Sequence, residues 1–179
     1  MSAVVDLVLD VHAALEAAGI PHAFGGAIAL AYATEEPRGT IDVDVNVFVR
    51  PTDATRVFEA LPIGVTWDGD DVAAVERDGQ VRVFCGEVPL DLFFSTHDFH
   101  DRAADDTVVV PFAGARIAVL APDDLAVFKA FFDRTKDWAD IEAMAAVDSF
   151  DAEVVLARLG ELLGPGDHRI ERLTSITTS

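Results

Sequence analysis

Asp42 and Asp44 stand two residues apart in Arg38-Gly-Thr-Ile-Asp-Val-Asp-Val-Asn-Val, a β-branched run over 38–47. In a strand such neighbours project from the same face, so their carboxylates would lie side by side. Two anions held that close repel each other and call for a cation. Oxygen-only ligands suit Mg²⁺ (or Mn²⁺), and Mg²⁺ suits phosphates. The alternative is a solvent-facing strand edge, but acids are poor strand formers and pairing them costs stability.

Some fifteen residues upstream, Gly25 and Gly26 open a small-residue segment. Lacking Cβ, they let the backbone turn sharply and approach a phosphate group. The amides of a following helix would then face the anion. A tight strand-to-helix turn is the plainer reading. Downstream, Asp91 sits alone in the apolar run Pro89-Leu-Asp-Leu-Phe-Phe. A buried carboxylate needs a partner, either an arginine or a shared metal.

The elements that must position these groups follow from periodicity. Apolar spacing of three and four predicts a helix over 3–18, stopped by Gly19. A short strand over 22–24, a helix over 27–34, a strand over 41–49 and a helix over 53–61 come next. Strands are predicted over 65–67, 80–85 and 88–94, then a hairpin at Ala113-Gly114. From Pro122 onward the pattern is helical, over 122–134, 136–147 and 151–163. The interleaving predicts an α/β (α+β) fold with a C-terminal helical bundle. The expected organisation is a core over 1–120, a helical region over 121–165 and a polar tail over 166–179, mobile until bound.

The chain has 179 residues, 51% of them hydrophobic, which suits one compact unit. Its single cysteine, Cys85, excludes an intramolecular disulfide and reads as a packing residue in a reducing compartment. No export signal is visible, and Gly19, Pro21, Gly25 and Gly26 break the uncharged run over 17–34, so no membrane span is expected and the expected location is cytoplasmic. The formal charge of −19 gives no general basic footprint for nucleic acid. His97 and His100 have no further nearby ligands and read as loop residues.

Taken together, the Gly-Gly turn, the Arg-x-Thr-x-Asp-x-Asp strand and the later Asp91 strand resemble the polymerase-beta-like nucleotidyltransferase superfamily. Leu120-Ala-Pro-Asp-Asp-Leu-Ala-Val-Phe-Lys-Ala and Asp133-Arg-Thr-Lys-Asp-Trp-Ala-Asp-Ile resemble its AbiEii/MenT-type branch, many members of which are toxins of toxin–antitoxin pairs. The resemblance covers roughly residues 20–145. It implies a nucleotidyltransferase-fold mixed sheet, Mg²⁺ held by Asp42, Asp44 and Asp91, and an NTP received at Gly25 and Gly26. Asp91 would also serve as general base for the acceptor hydroxyl. Lys129, Asp137 and Asp140 match the branch's later Lys and Asp positions, with either aspartate open as the functional acid. Lys129 would either neutralise phosphate or snorkel to solvent. Arg38 and Thr40 would contact phosphate or hold the start of the strand.

The implied activity is transfer of a nucleoside monophosphate to an acceptor, which in the toxin branch can be the 3′ end of tRNA, with a cognate antitoxin as partner. Two rivals remain. The acidic composition favours a cationic small molecule, such as an aminoglycoside, as acceptor. A catalytically silent, partner-binding scaffold of the same fold is the other.

Overall fold

The computed structural model describes residues 2–178. Its strands are β1 (His22–Phe24), β2 (Val43–Val47), β3 (Val65–Thr66), β4 (Gln80–Cys85), β5 (Val88–Phe94), β6 (Val108–Phe112) and β7 (Ala115–Val119). Its α-helices are α1 (Ala3–Ala17), α2 (Gly26–Ala33), α3 (Ala54–Ala60), α4 (Gly69–Asp78), α5 (Asp98–Asp105), α6 (Pro122–Phe132), α7 (Thr135–Ala146), α8 (Ala152–Leu163) and α9 (His168–Thr177). One 3₁₀ turn, Pro51–Asp53, leads into α3.

The strands form a seven-stranded mixed sheet in the order β3-β4-β5-β2-β1-β7-β6. β2 runs parallel to β5 and antiparallel to β1, while β1 runs parallel to β7. The central strands alternate as their sequences dictate. Val43, Val45, Val47, Leu90, Leu92 and Phe94 are buried, which leaves Asp44 and Asp91 on the opposite face, where they stand directly across from each other. The apolar stripe of α1 (Leu7, Val8, Val11, Leu15) joins the same core. The expected mixed sheet flanked by helices is what the chain forms. Among the described residues, no helix is long and apolar enough to cross a membrane.

Three segments depart from the expectations. Residues 69–78 form α4, which starts on a reciprocal capping box between Asp68 and Asp71 and ends on Gly79 in the left-handed conformation. His97 and His100 are not loop residues: His97 caps α5 and His100 lies in its first turn. The polar tail carries a helix, α9. That helix buries only Leu173, but Arg172 lies 4.5 Å above the Trp138 ring and Arg169 donates to the Phe131 carbonyl at 2.8 Å. Cys85 is a partly buried free thiol packed against the core.

Candidate functional site

β1 ends at Phe24, and the chain turns at once into α2 through Gly25 and Gly26. The Gly25 N–H donates to the Asp44 carbonyl at 2.9 Å, which fastens this turn to β2. Gly26 has φ +48, and a Cβ built there would lie 1.8 Å from Asp44 Oδ2. Any side chain would therefore collide with the carboxylate and strain the backbone as well. The turn is thus built against Asp44, and α2 begins with amides that have no carbonyl partner of their own helix.

Asp42 lies just before β2 rather than inside it, because the strand starts at Val43 and not at 41. Its place is set by Thr40, whose Oγ1 sits 2.8 Å from Asp42 Oδ1 and accepts from the Asp42 N–H at 3.4 Å. Thr40 thus holds Asp42 at the start of the strand. Asp91, across from Asp44, receives Arg82 from β4 in a two-pronged pair, with Nε to Oδ1 at 2.7 Å and Nη2 to Oδ2 at 2.6 Å. The same Arg82 reaches Asp42 Oδ2 at 3.4 Å. Asp91 is therefore arginine-paired and, at the same time, a member of the acid cluster.

Burial is the main cause that pushes Asp44 up from 3.8 to about 6, and the neighbouring Asp42 and Asp91 charges add to it. Asp91 and Asp42 share one half-exposed guanidinium, whose own proton is held more firmly than usual by Asp91. The donors are all carboxylate oxygens, the type a hard divalent cation takes, but Arg82 already occupies Asp91 and Asp42, and the three are not drawn together as closely as a ready-made cation site.

A second polar cluster comes from the α6–α7 corner. Lys129 is buried, not snorkelled, and donates to Asp140 at 2.7 Å with Asp137 3.8 Å away. Asp137 is 1% exposed and takes Arg134 Nε at 2.5 Å, so it serves as an ion-pair partner and not as a helix cap. Arg38 crosses from the loop before β2 to Asp140 at 2.5 Å. Lys129 and Lys136 both act electrostatically on Asp44. A small cavity of ≈ 40 Å³ between the clusters is lined by Gly26, Asp44, Asn46, Lys129, Arg134 and Asp137, among others. A wider one of ≈ 310 Å³ opens beside Arg82 and Asp91 and shares Phe93, Phe132 and Arg134 with it.

The predicted residues thus fall in two facing groups. Gly25, Gly26, Thr40, Asp42, Asp44 and Asp91 lie on the sheet side, and Lys129, Asp137 and Asp140, reached by Arg38, lie on the helix side. Sequence reasoning missed Arg82 and Arg134. Arg82 had a signal: pairing Cys85 with Val88 across the Gly86 turn runs back to Arg82 opposite Asp91. Arg134 had one too, its i,i+3 spacing to Asp137 within the Asp133-Arg-Thr-Lys-Asp run.

The fold has counterparts of known structure. ANT(2'')-Ia, an antibiotic-resistance factor, superposes with a TM-score of 0.60 at 14% identity, covering 88% of this chain and 90% of that one. The chain has the nucleotidyltransferase fold. The same enzyme in complex with adenylyl-2''-tobramycin gives 0.52 at 13% identity, over 97% of both chains. A nucleotidyltransferase-like protein from Paracoccidioides brasiliensis gives 0.52 at 15% identity, over 97% of this chain and 94% of that one. No family model matches the sequence, and no curated protein is similar to it at the level of sequence. Within this fold, the acid cluster lies where β2 and β5 run side by side, next to the start of α2.

Proposed function

We propose that this chain is a divalent-metal-dependent nucleotidyltransferase that moves a nucleoside monophosphate from an NTP to an acceptor hydroxyl and releases pyrophosphate. One observation carries the reading: Asp44 and Asp91 stand across from each other on parallel β2 and β5, with Asp42 tied to Asp91 through Arg82, beside a Gly-Gly helix start that no side chain could share. In this reading the Gly25–Gly26 turn and the first amides of α2 receive the triphosphate. Lys129 and Arg134 flank it and favour its negative charge. Asp42, Asp44 and Asp91 hold Mg²⁺ or Mn²⁺. When bound, the metal neutralises phosphate charge and lowers the pKa of the attacking hydroxyl.

The acceptor oxygen bonds to the α-phosphorus as the bond to the bridging oxygen breaks, and pyrophosphate leaves. Asp91 takes the hydroxyl proton once Arg82 has moved aside, which its half-exposed side chain allows. The fit of Arg82 to both Asp91 and Asp42 means that substrate arrival must displace a pre-existing ion pair.

Two acceptors are supported by different observations. The grouping of Lys129, Asp137 and Asp140 on one corner supports the toxin-like reading, with the tRNA 3′ end as acceptor and a cognate antitoxin as partner. The charge of −19, together with the likeness to a fold whose bound product is adenylyl-2''-tobramycin, supports a polycationic small molecule. The test is transfer of label from each of the four NTPs with Mg²⁺, offered a tRNA pool, an aminoglycoside panel and protein acceptors. Labelled tRNA supports the first acceptor and labelled drug the second, both abolished by Asp44→Ala. Absence of metal-dependent NTP binding and of any transfer would overturn the enzyme reading in favour of a silent scaffold.

A further inference from the structure

Away from the carboxylates, a different set of ligand atoms meets where α1 packs over the start of β1. His12 and Glu16 lie one helical turn apart on α1, and His22 opens β1. One donor atom from each of the three falls within 4.8 Å of the others. His12 Nδ1 and His22 Nε2 are 3.0 Å apart. His22 Nδ1 lies 2.8 Å from the Ile20 carbonyl oxygen, which can only accept. The Ile20 contact therefore places the His22 proton on Nδ1 and leaves the Nε2 lone pair facing His12 and Glu16.

The geometry points to a second metal site here, of a class different from the first: two imidazole nitrogens and one carboxylate that take a Zn²⁺-type divalent ion. Magnesium has little use for imidazole, whereas zinc binds this donor set with a fourth position left to water. With Zn–N bonds of roughly 2.0–2.1 Å, two ligands on a tetrahedron lie about 3.3 Å apart. The two nitrogens are already within a few tenths of an ångström of that spacing. The backbone carbonyl behind His22 is the outer partner that orients a metal-bound imidazole. The ion would clip α1 to β1 across the turn at Gly19, and β1 runs straight into Gly25 and Gly26. Bound there, the ion would brace the strand that delivers the turn, at a distance from the carboxylates of the first site.

This inference is independent of the nucleotidyltransferase reading. The experiment is titration of the untagged, full-length protein with Zn²⁺ against a chromophoric chelator, with excess Mg²⁺ present. Thermal melts and the visible absorption of Co²⁺ accompany it. One Zn²⁺ per chain is expected, with a raised Tm and a tetrahedral Co²⁺ spectrum. His12→Ala and Glu16→Gln, which leave the buried His22 in place, each weaken binding about tenfold or more. The Asp42→Asn/Asp44→Asn double variant binds Zn²⁺ as the unmodified chain does. The site is overturned if Zn²⁺ does not bind, if the His12→Ala/Glu16→Gln double variant binds it equally well, or if the Asp42→Asn/Asp44→Asn changes remove it.

Discussion

The two polar clusters that face each other across the cleft are built on opposite charge balances. On the sheet side, one half-exposed arginine pairs with two of three carboxylates, and the central acid is pushed up to about 6. On the helix side, two carboxylates meet three cations, Lys129, Arg134 and Arg38, at 2.5–2.7 Å. The first cluster is short of positive charge and the second is already satisfied. The comparison teaches where a cationic ligand would relieve the fold and where removing a charge would damage it. Substitutions in the two clusters should therefore move stability in opposite directions.

The largest effect is expected on transfer. Asp44→Asn removes the central acid, and labelling from NTP should fall by about 10³-fold or more, equivalent to about 4 kcal/mol in the barrier. Activity retained within about tenfold would break the assignment of the sheet cluster. The next effect is on the opposite side. Lys129→Met leaves Asp140 and Asp137 each without a buried partner and should lower unfolding stability by about 3 kcal/mol, read from urea melts. A neutral result would mean that the remaining arginines suffice and the helix cluster is not tightly balanced.

The pH dependence sharpens the contrast. Because Asp44 is raised from 3.8 to about 6, its protonated form stabilises the folded state. That contribution is whole below about pH 4 and is lost as pH rises through 6. Asp44→Asn should therefore stabilise the protein at pH 8 by up to about 3 kcal/mol and flatten the fall between pH 4 and 7. The flattening will be partial, because Asp124 is also raised to about 6 by burial despite its 2.5 Å pair with Arg158. A destabilised Asp44→Asn protein at pH 8 would count against an uncompensated sheet cluster. The smallest effect is expected for Arg82→Ala: stability should change by less than about 1 kcal/mol, since the side chain is half exposed. Mg²⁺ affinity by calorimetry should nonetheless rise severalfold, because a competing cation has gone.

Much of the framework was legible because its signals are local. β1, α2, the β4–β5 hairpin and α6 through α8 fall within a few residues of their predicted limits, where periodicity and glycine or proline punctuation agree. α4 was missed although its Asp68–Asp71 box was readable, since only Val75 is buried and the apolar pattern is thin. α5 starts on a histidine, which is outside the usual capping set. α9 is ordered by Trp138 and the Phe131 carbonyl, contacts far away in the chain.

The sequence by itself determined the alternation that puts Asp44 and Asp91 on the polar face of buried strands, and the glycine pair that leaves room for a carboxylate. These follow from a period of two and from a missing Cβ. Only the tertiary structure decided that Arg82 sits between Asp91 and Asp42, that Lys129 turns inward to Asp140, and that His12 and His22 meet across a helix and a strand. Those outcomes depend on strand order, hairpin register and helix packing, which are set by burial summed over the whole core rather than by any short segment.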